Sequence, residues 1–201
     1  MSWDAVILAA GRGRRMGGPK ALLDLGGATL LELQLRALRG AAQIAVVVEG
    51  TPRIGAWTPL PQKGRMYVAN PRAEEGPFVS IQLGLEALGG DRPVLIVPVD
   101  CPAPPGAPAL LLRTATPGFA WVAPTRDGRR GHPVLLTAAG RNAARNAGLG
   151  MTLRDLLAAT PGAEVPVDSP LVHCNLNTPS DRDRFLADHP CWPDLHPGDA
   201  P

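Results

Sequence analysis

The 201-residue sequence has little excess charge of either sign and no long hydrophobic run. Charged residues make up 19% of the chain, and the formal net charge is only +2. So weak a net charge provides no extended basic surface, which argues against nucleic acid as a partner. The hydrophobic fraction of 45% excludes a disordered chain. We therefore expect one compact domain that binds no nucleic acid.

Cysteine is also scarce. Cys101, Cys174 and Cys191 are odd in number and widely spaced, which favours reduced thiols over a disulfide framework. No C-x-x-C or H-x-x-x-H pattern accompanies them, and this argues against a zinc-thiolate site. The first apolar run is too short for a signal peptide or a membrane span, so we expect a cytoplasmic protein without membrane association.

Lysine is rarer still, and one of the two lysines ends a glycine-rich loop. The loop follows the apolar run 5–9 and has the sequence Ala10-Gly-Arg-Gly-Arg-Arg-Met-Gly-Gly-Pro-Lys20. Glycines let backbone amides approach an anion, and the cations add charge at its rim. A compact lysine ammonium suits a phosphate that moves during a reaction, whereas arginine would hold it more rigidly. The loop therefore predicts a polyphosphate site.

Alternating strands and helices predict an α/β fold with a mostly parallel sheet covered on both faces. The apolar segments predict strands at 4–9, 44–49, 66–69, 93–99, 119–123 and 133–137, with another near 165. Helices are expected after Thr29, at 81–88, at 152–159 and from Thr178. We expect a single domain over 1–189 and a loose, proline-rich tail over 190–201.

Ligands of such sheets bind where loops converge at the carboxyl ends of the strands, and three loops qualify. The first is the glycine-rich loop. The second carries Asp100, which fits either a Mg²⁺ that bridges phosphate oxygens or a turn or N-cap aspartate. The third runs from Asn70 through Gly76-Pro-Phe-Val-Ser80, and it either reads a base or ribose or is only a connection.

Two common glycine-loop motifs do not fit. A Walker A loop needs Gly-Lys-Ser/Thr, but Pro19 precedes Lys20 and Ala21 follows it. A dinucleotide fingerprint fails because Met16 stands where the third glycine belongs, although Glu49 lies where a ribose-binding acid would be. The remaining pattern, Leu8-Ala-Ala-Gly-x-Gly-x-Arg-Met-Gly-x-x-Lys20, resembles the signature of nucleotidyltransferases that move a nucleoside monophosphate from an NTP to a phosphorylated acceptor.

Further segments resemble successive motifs of the molybdenum-cofactor nucleotidyltransferase family, in the family's order and over nearly the whole chain. These segments are 70–84, 98–102, 130–134 and 175–181. The resemblance implies a Rossmann-like three-layer domain of the nucleotide-diphospho-sugar transferase type. It also implies an NTP donor, Mg²⁺, a molybdopterin-type acceptor and a transient contact with a molybdoenzyme or its chaperone.

Different residues of the sequence indicate different donor bases. Ala9-Ala10 resembles the cytidylyltransferases, and the Ala10 methyl would narrow the space for a purine, so we expect CTP to be preferred over GTP. Gly76-Pro77 and Asn175-Leu-Asn177 resemble the guanylyl pattern instead. Asn175 also stands where relatives of the cytidylyl type carry an aspartate, which leaves a second carboxylate metal ligand in question.

The expected mechanism is in-line attack by an acceptor phosphate oxygen on the α-phosphorus, with loss of pyrophosphate and no dedicated general base. Arg15 and Lys20 are predicted to neutralise charge, and Asp100 to bind Mg²⁺. His132 is predicted either to contact the acceptor or to be only a turn residue before Pro133, while Arg12 and Arg14 could be merely solvated. The nucleotide set is Leu8, Ala9, Ala10, Gly11, Gly13, Arg15, Lys20, Asn70, Ser80 and Gly84; the acceptor set is His132, Asn175 and Asn177.

Two rival classes of function remain. The glycine-loop signature is shared with nucleotidyltransferases that act on sugar, alditol or choline phosphates, and only the downstream segments argue against them. A non-catalytic nucleotide-binding domain is the second alternative, and the intact Lys20 and Asp100 argue against it.

Overall fold

A computed structural model of the protein describes residues 2–11, 13, 17–50, 63–190 and 192. Within these residues, eight strands form one sheet, and six α-helices flank it. The strands are β1 Asp4–Ala9, β2 Gln43–Glu49, β3 Arg65–Asn70, β4 Val94–Pro98, β5 Trp121–Arg126, β6 Arg129–Arg130, β7 Val134–Leu136 and β8 Gly162–Pro166. The helices are α1 Leu30–Ala37, α2 Pro77–Leu88, α3 Ala107–Thr114, α4 Ala138–Arg145, α5 Leu153–Ala159 and α6 Pro179–Asp188.

The strand order is β3-β2-β1-β4-β7-β5-β6, with β8 also paired to β5. The first four strands are mutually parallel, because β1 pairs in parallel with β2 and β4, and β2 with β3. Strand β7 runs antiparallel between β4 and β5. The prediction of a mostly parallel sheet is confirmed.

Two hydrophobic cores lie on opposite faces of the sheet. Helices α1, α3 and α6 pack on one face, and α2, α4 and α5 on the other. Alternate residues of β1 enter the two cores: Ala5 and Ile7 the first, Val6 the second. A strand buried on both faces is apolar throughout, which explains its unbroken hydrophobic run. The Rossmann-like three-layer α/β fold is therefore confirmed.

Local side chains set the helix starts, and the helices differ from the prediction at α2, α3 and α4. The predicted Thr29–Glu32 capping box is present, and Thr178 caps α6 as expected. Helix α2, however, begins at Pro77 rather than at 81, because Gly76, with φ of 104°, turns the chain and Pro77 supplies a preset helical φ. Ser80 therefore lies on a helix and not in a loop. Helices α3 and α4 were not predicted.

The end of the described chain packs more tightly than the sequence suggests. Trp192, which falls in the predicted loose tail, is buried; its indole Nε1 donates to the Ala103 carbonyl oxygen at 3.2 Å. Its ring also meets Phe185 edge-on, with the ring centroids 5.5 Å apart. Packing against α6 thus extends to residue 192. Residues 191 and 193–201 of the predicted tail lie outside the described residues.

The described cysteines, Cys101 and Cys174, are free thiols, while Cys191 lies outside the described residues. Burial raises the pKa of the Cys174 thiol to about 11, and it raises the pKa of the Cys101 thiol further. Both groups are therefore neutral near pH 7. Among the described helices, none has the length and apolarity to cross a membrane.

A buried ion pair lies at the end of the sheet opposite the carboxyl ends of the parallel strands. Arg141 of α4 is fully buried and its Nη1 donates to Asp4 Oδ2 at 3.1 Å, at the start of β1. The same guanidinium donates to the carbonyl oxygens of Arg92 and Gly89. The Arg92 side chain in turn donates to Asp4 Oδ1 at 2.9 Å. This network joins α4, the end of α2 and the starts of β1 and β4.

We predict that Arg141→Leu lowers the free energy of unfolding by about 3–5 kcal/mol, because it leaves a buried carboxylate and two carbonyl groups without a principal donor. Urea unfolding at pH 7 measures this loss. The matched control is Arg113→Leu on the exposed side of α3, which should change stability by no more than about 0.5 kcal/mol. Equal effects of the two substitutions would contradict the prediction.

Candidate active site

The candidate site lies where the strand order reverses direction, beside β1. From β1 the chain moves outward through β2 and β3, whereas β4 pairs on the other side of β1. A crevice forms at such a reversal, at the carboxyl ends of the strands. The glycine-rich loop leaves β1 there, and the segment with Asp100 leaves β4. The two segments are joined by a hydrogen bond from the Val99 amide to the Leu8 carbonyl oxygen at 3.1 Å.

Three predicted site residues meet at this crevice. The Lys20 ammonium donates to Asp100 Oδ2 at 2.5 Å and to Asn177 Oδ1 at 2.6 Å, across 80 and 157 residues of sequence. The Lys20 and Asp100 side chains are only 17% and 18% exposed, so solvent screens this pair less than it screens a surface pair. An ammonium has three donors. Within the described part of the chain, two of them have protein acceptors, and the third is available to a ligand.

The position of Asn177 is set by its own backbone. The amides of Asn177 and Thr178 donate to the Asp181 carboxylate at 3.0 and 2.8 Å. Together with the Thr178 hydroxyl, the largest influence, these donors lower the pKa of Asp181. The adjacent Leu176 amide donates to the Asp100 main-chain oxygen at 2.9 Å. The segment before α6 is thereby attached to the segment after β4.

Two glycines of the loop differ in how closely their surroundings pack. At Gly13, with φ of 58°, an added Cβ would lie 1.9 Å from the Gly18 carbonyl oxygen, so the loop's own closure excludes a side chain. At Gly11 a Cβ would meet nothing within 4 Å among the described residues. Packing among the described residues therefore does not require a glycine at position 11. Arg15, like Arg12 and Arg14, lies outside the described residues.

The other predicted nucleotide residues have visible structural roles. Buried Asn70 donates from Nδ2 to buried Ser80 Oγ at 2.8 Å and accepts the Arg72 amide at 2.8 Å. Gly84 lies against the sheet, where a Cβ would be 2.5 Å from Val6 Cγ1. These contacts order the turn after β3 and bring α2 close to β1. Nucleotide binding by these residues stays a prediction.

At the β1 end, the predicted nucleotide residues occupy different environments. The Ala9 side chain is buried in the core on the α1 side, so only its backbone faces the crevice. Leu8 lines a cavity on the opposite face, and Ala10 is half-buried.

His132 and Asn175 of the predicted acceptor set lie in different places. His132 lines the cavity of about 630 Å³ on the α2 and α5 face, which Leu8 and Pro98 also line. Asn175 lines a separate cavity of about 300 Å³ beside α6. Burial lowers the pKa of His132, so its imidazole is neutral near pH 7, and among the described residues its Nδ1 has no hydrogen-bond partner. The structure thus does not bring Asn175 to His132.

A residue that the sequence analysis missed holds the Asp100 segment. Gln34 of α1 is fully buried, and its Nε2 donates to the carbonyl oxygens of Cys101, Val99 and Pro98 at 2.9, 3.1 and 3.4 Å. These carbonyls flank Asp100 in sequence. The available signal was a glutamine in an otherwise leucine-rich helical stripe, since a buried amide needs partners.

The site contains one carboxylate suited to a magnesium ion. No group of three or more histidine, cysteine or acidic side chains that could hold a metal occurs in the described ranges. Asp100 Oδ1 has only a weak contact with Cys101 Sγ, at 3.9 Å. Magnesium is commonly held by one or two carboxylates together with substrate phosphates and water. Asp100 fits that arrangement, and it would require phosphate oxygens to complete it.

The sequence profile described as the MobA-like NTP transferase domain matches residues 5–173. The chain belongs to this family. The molybdenum cofactor guanylyltransferase of Rhodopseudomonas palustris is 34% identical over 139 residues, which cover 65% of this chain and 63% of that protein. The chain therefore matches somewhat less than two thirds of that relative's length.

Other similarities are more local or concern the fold. The 2-C-methyl-D-erythritol 4-phosphate cytidylyltransferase of Thermus thermophilus is 51% identical over 49 residues, 24% of this chain and 23% of that protein. Its crystal structure superposes with a TM-score of 0.69 at 22% identity, over 93% of this chain and 98% of the other. Rv0371c of Mycobacterium tuberculosis superposes with a TM-score of 0.73 at 23% identity, over 93% and 99%. These structures establish a shared fold of the nucleotide-diphospho-sugar transferase type.

We predict that Gln34→Met loosens the Asp100 segment. The substitution preserves volume but leaves buried carbonyl groups unpaired, which should lower the free energy of unfolding by about 1–3 kcal/mol. Hydrogen exchange at the Val99 and Cys101 amides should accelerate by about tenfold or more.

Gln82→Met is the matched control, because the Gln82 amide also donates to two carbonyl groups, near the end of α4 and away from the site. It should cost similar stability without selective exchange at Val99 and Cys101. Equal exchange rates in both variants would mean that Gln34 has only a general stabilising role.

Proposed function

We propose that this protein is a nucleotidyltransferase that moves a nucleoside monophosphate from an NTP to the phosphate of a molybdopterin-type cofactor. The observation that carries the proposal is the convergence of Lys20, Asp100 and Asn177 beside the glycine-rich loop, at the switch point of the sheet. Family membership and the names of the matching relatives support the reaction class.

The residues present can perform this transfer by positioning and charge neutralisation. An oxygen of the acceptor phosphate attacks the α-phosphorus of the NTP, and the bond to the bridging oxygen breaks, so that pyrophosphate leaves with the electron pair. The attacking phosphate is already ionised, so no general base is required. Lys20, with one donor available, neutralises charge that develops on the phosphates, and the Gly11 backbone lets them approach closely.

Magnesium is part of the proposal. When bound, Mg²⁺ would offset the negative charge of the phosphates, and Asp100 is the residue that would hold it. Asn177 keeps Lys20 oriented while the Lys20–Asp100 pair opens to admit the nucleotide. We also propose a cytoplasmic location and a transient contact with the molybdoenzyme or chaperone that receives the product.

The proposed donor is GTP. Relatives named molybdenum cofactor guanylyltransferase match roughly half to two thirds of the chain, whereas the cytidylyltransferase match is confined to 49 residues. The expectation of CTP, which rests on the resemblance of Ala9-Ala10 to the cytidylyltransferases and on the Ala10 methyl group, stays a prediction. A polyol phosphate acceptor with CTP is the second candidate, because the local match to the Thermus enzyme has the higher identity.

The first test measures pyrophosphate release with Mg²⁺, GTP and molybdopterin cofactor. Lys20→Ala should lower turnover by at least about a hundredfold, the scale expected for loss of one preorganised charge at a developing anion. Lys63→Ala is the matched control, because Lys63 is the chain's other lysine and is exposed. A Lys20→Ala turnover within a few-fold of wild type would remove Lys20 from the mechanism.

The second test is direct competition of CTP and GTP with the wild-type enzyme and each acceptor, molybdopterin or 2-C-methyl-D-erythritol 4-phosphate. Preference for GTP with molybdopterin is the proposed result, since a site built for one hydrogen-bonding edge rejects the other. A preference for CTP that becomes weaker in Ala10→Gly would instead support the prediction that the Ala10 methyl group excludes a purine. Transfer to the polyol phosphate alone would establish the second candidate.

A further inference from the structure

The contacts around Lys20 form a closed ring between two segments of the chain. The Lys20 ammonium donates to Asp100 Oδ2 and to Asn177 Oδ1. The amide of Leu176, the residue before Asn177, donates to the main-chain oxygen of Asp100. The direction of the Lys20 ammonium therefore depends on where the backbone of residue 177 places its side-chain amide.

A carboxylate outside this ring holds that backbone. Asp181 Oδ2 accepts the amides of Asn177 and Thr178 at 3.0 and 2.8 Å, and the Thr178 hydroxyl accepts the Asp181 amide at 3.2 Å. The hydrogen bond with the Thr178 side chain and those from the two amides lower the pKa of Asp181, so its carboxylate is charged near pH 7. Hydrogen bonds to a charged acceptor are stronger than those between neutral groups.

The bond from Asn177 goes beyond an ordinary capping box, which serves the N-cap and N3 amides. At the start of α5, Asp155 Oδ2 accepts the Thr152 amide and hydroxyl at 3.0 and 2.6 Å. The residue before that cap, Met151, donates its amide to a carbonyl oxygen of the preceding loop at 3.4 Å. At α6 the equivalent amide belongs to Asn177, and it donates to the Asp181 carboxylate.

Helix α6 gives Asp181 a fixed position. Phe185, one turn further along the helix, is buried and meets the ring of Trp192 edge-on. Trp192 in turn donates from Nε1 to the carbonyl oxygen of Ala103 at 3.2 Å. Because Ala103 is three residues after Asp100, both ends of α6 are attached to the segment that follows β4. The helix cannot turn without breaking these contacts.

We propose that Asp181 is a positioning residue for nucleotide transfer, which fixes the backbone of Asn177 and thereby orients the Lys20 ammonium toward the phosphates. The proposal rests on the proposed function for the role of Lys20. A donor that is already oriented stabilises developing charge without reorganising during the reaction, so a lysine that turns away part of the time accelerates transfer less. Asp181 itself touches neither nucleotide nor acceptor and acts through Asn177.

A double-mutant cycle of Asp181→Asn and Asn177→Ala tests this route. Asp181→Asn preserves shape and should lower kcat about tenfold, as expected for a misplaced catalytic group. In the Asn177→Ala background the same substitution should lower kcat less than about twofold, because the side chain that it positions is gone. Effects that simply multiply in the double variant would overturn the proposal.

Asp155→Asn is the matched control, because it removes the carboxylate from the same kind of box on another helix. Both substitutions should lower the midpoint of urea unfolding by similar amounts, since each helix loses a capping interaction. With saturating substrates, Asp155→Asn should keep kcat within about twofold of wild type. A loss of kcat equal to that of Asp181→Asn would mean that capping alone explains the effect.

A measurement without substrates uses the chain's two lysines. Acetic anhydride followed by peptide mass spectrometry gives the reactivity of Lys20 relative to exposed Lys63. An ammonium that loses a fixed acceptor reacts faster, so this ratio should rise about threefold or more in Asp181→Asn. It should stay at the wild-type value in Asp155→Asn. An unchanged ratio in Asp181→Asn would contradict the proposal.

These measurements separate the positioning role from the proposed function. If wild-type protein transfers no nucleotide to molybdopterin but Lys20 reactivity rises in Asp181→Asn alone, the proposed function fails and the orientation of Lys20 by Asp181 stands. If transfer occurs and Asp181→Asn leaves both kcat and Lys20 reactivity unchanged, the function stands and the positioning role fails.

Discussion

The parallel pairing of β1 with both β2 and β4 is the constraint on which the candidate site depends. It places the glycine-rich loop and the Asp100 segment side by side at the carboxyl ends of β1 and β4. At the opposite end of β1, the buried pair of Asp4 and Arg141 connects the start of this strand to α4 and to the segment before β4. Contacts with neighbouring elements therefore hold both ends of the central strand β1.

Within the crevice at the carboxyl end of β1, the oppositely charged side chains of Lys20 and Asp100 are in contact and mostly buried. Lys20 and Asp100 satisfy each other in the free protein, and Asn177 and Gln34 fix the ammonium and the carboxylate segment, respectively. This arrangement suits phosphate chemistry, which depends on placing and neutralising charge more than on proton transfer.

Local sequence was enough for the parts of the molecule that depend on near neighbours. The apolar run of β1, the Thr29 and Thr178 caps and the position of Asp100 after a buried strand all follow from residues within a few positions of one another. The early start of α2 and the helices α3 and α4, which contain a proline and a glycine respectively, were not predicted from the sequence. Contacts between residues distant in sequence could be decided only by the tertiary structure. It paired Lys20 with Asn177, turned the Gln34 amide to the Asp100 segment and separated Asn175 from His132, because pairing of β1 and β4 and packing of α1 and α6 determine which distant side chains meet.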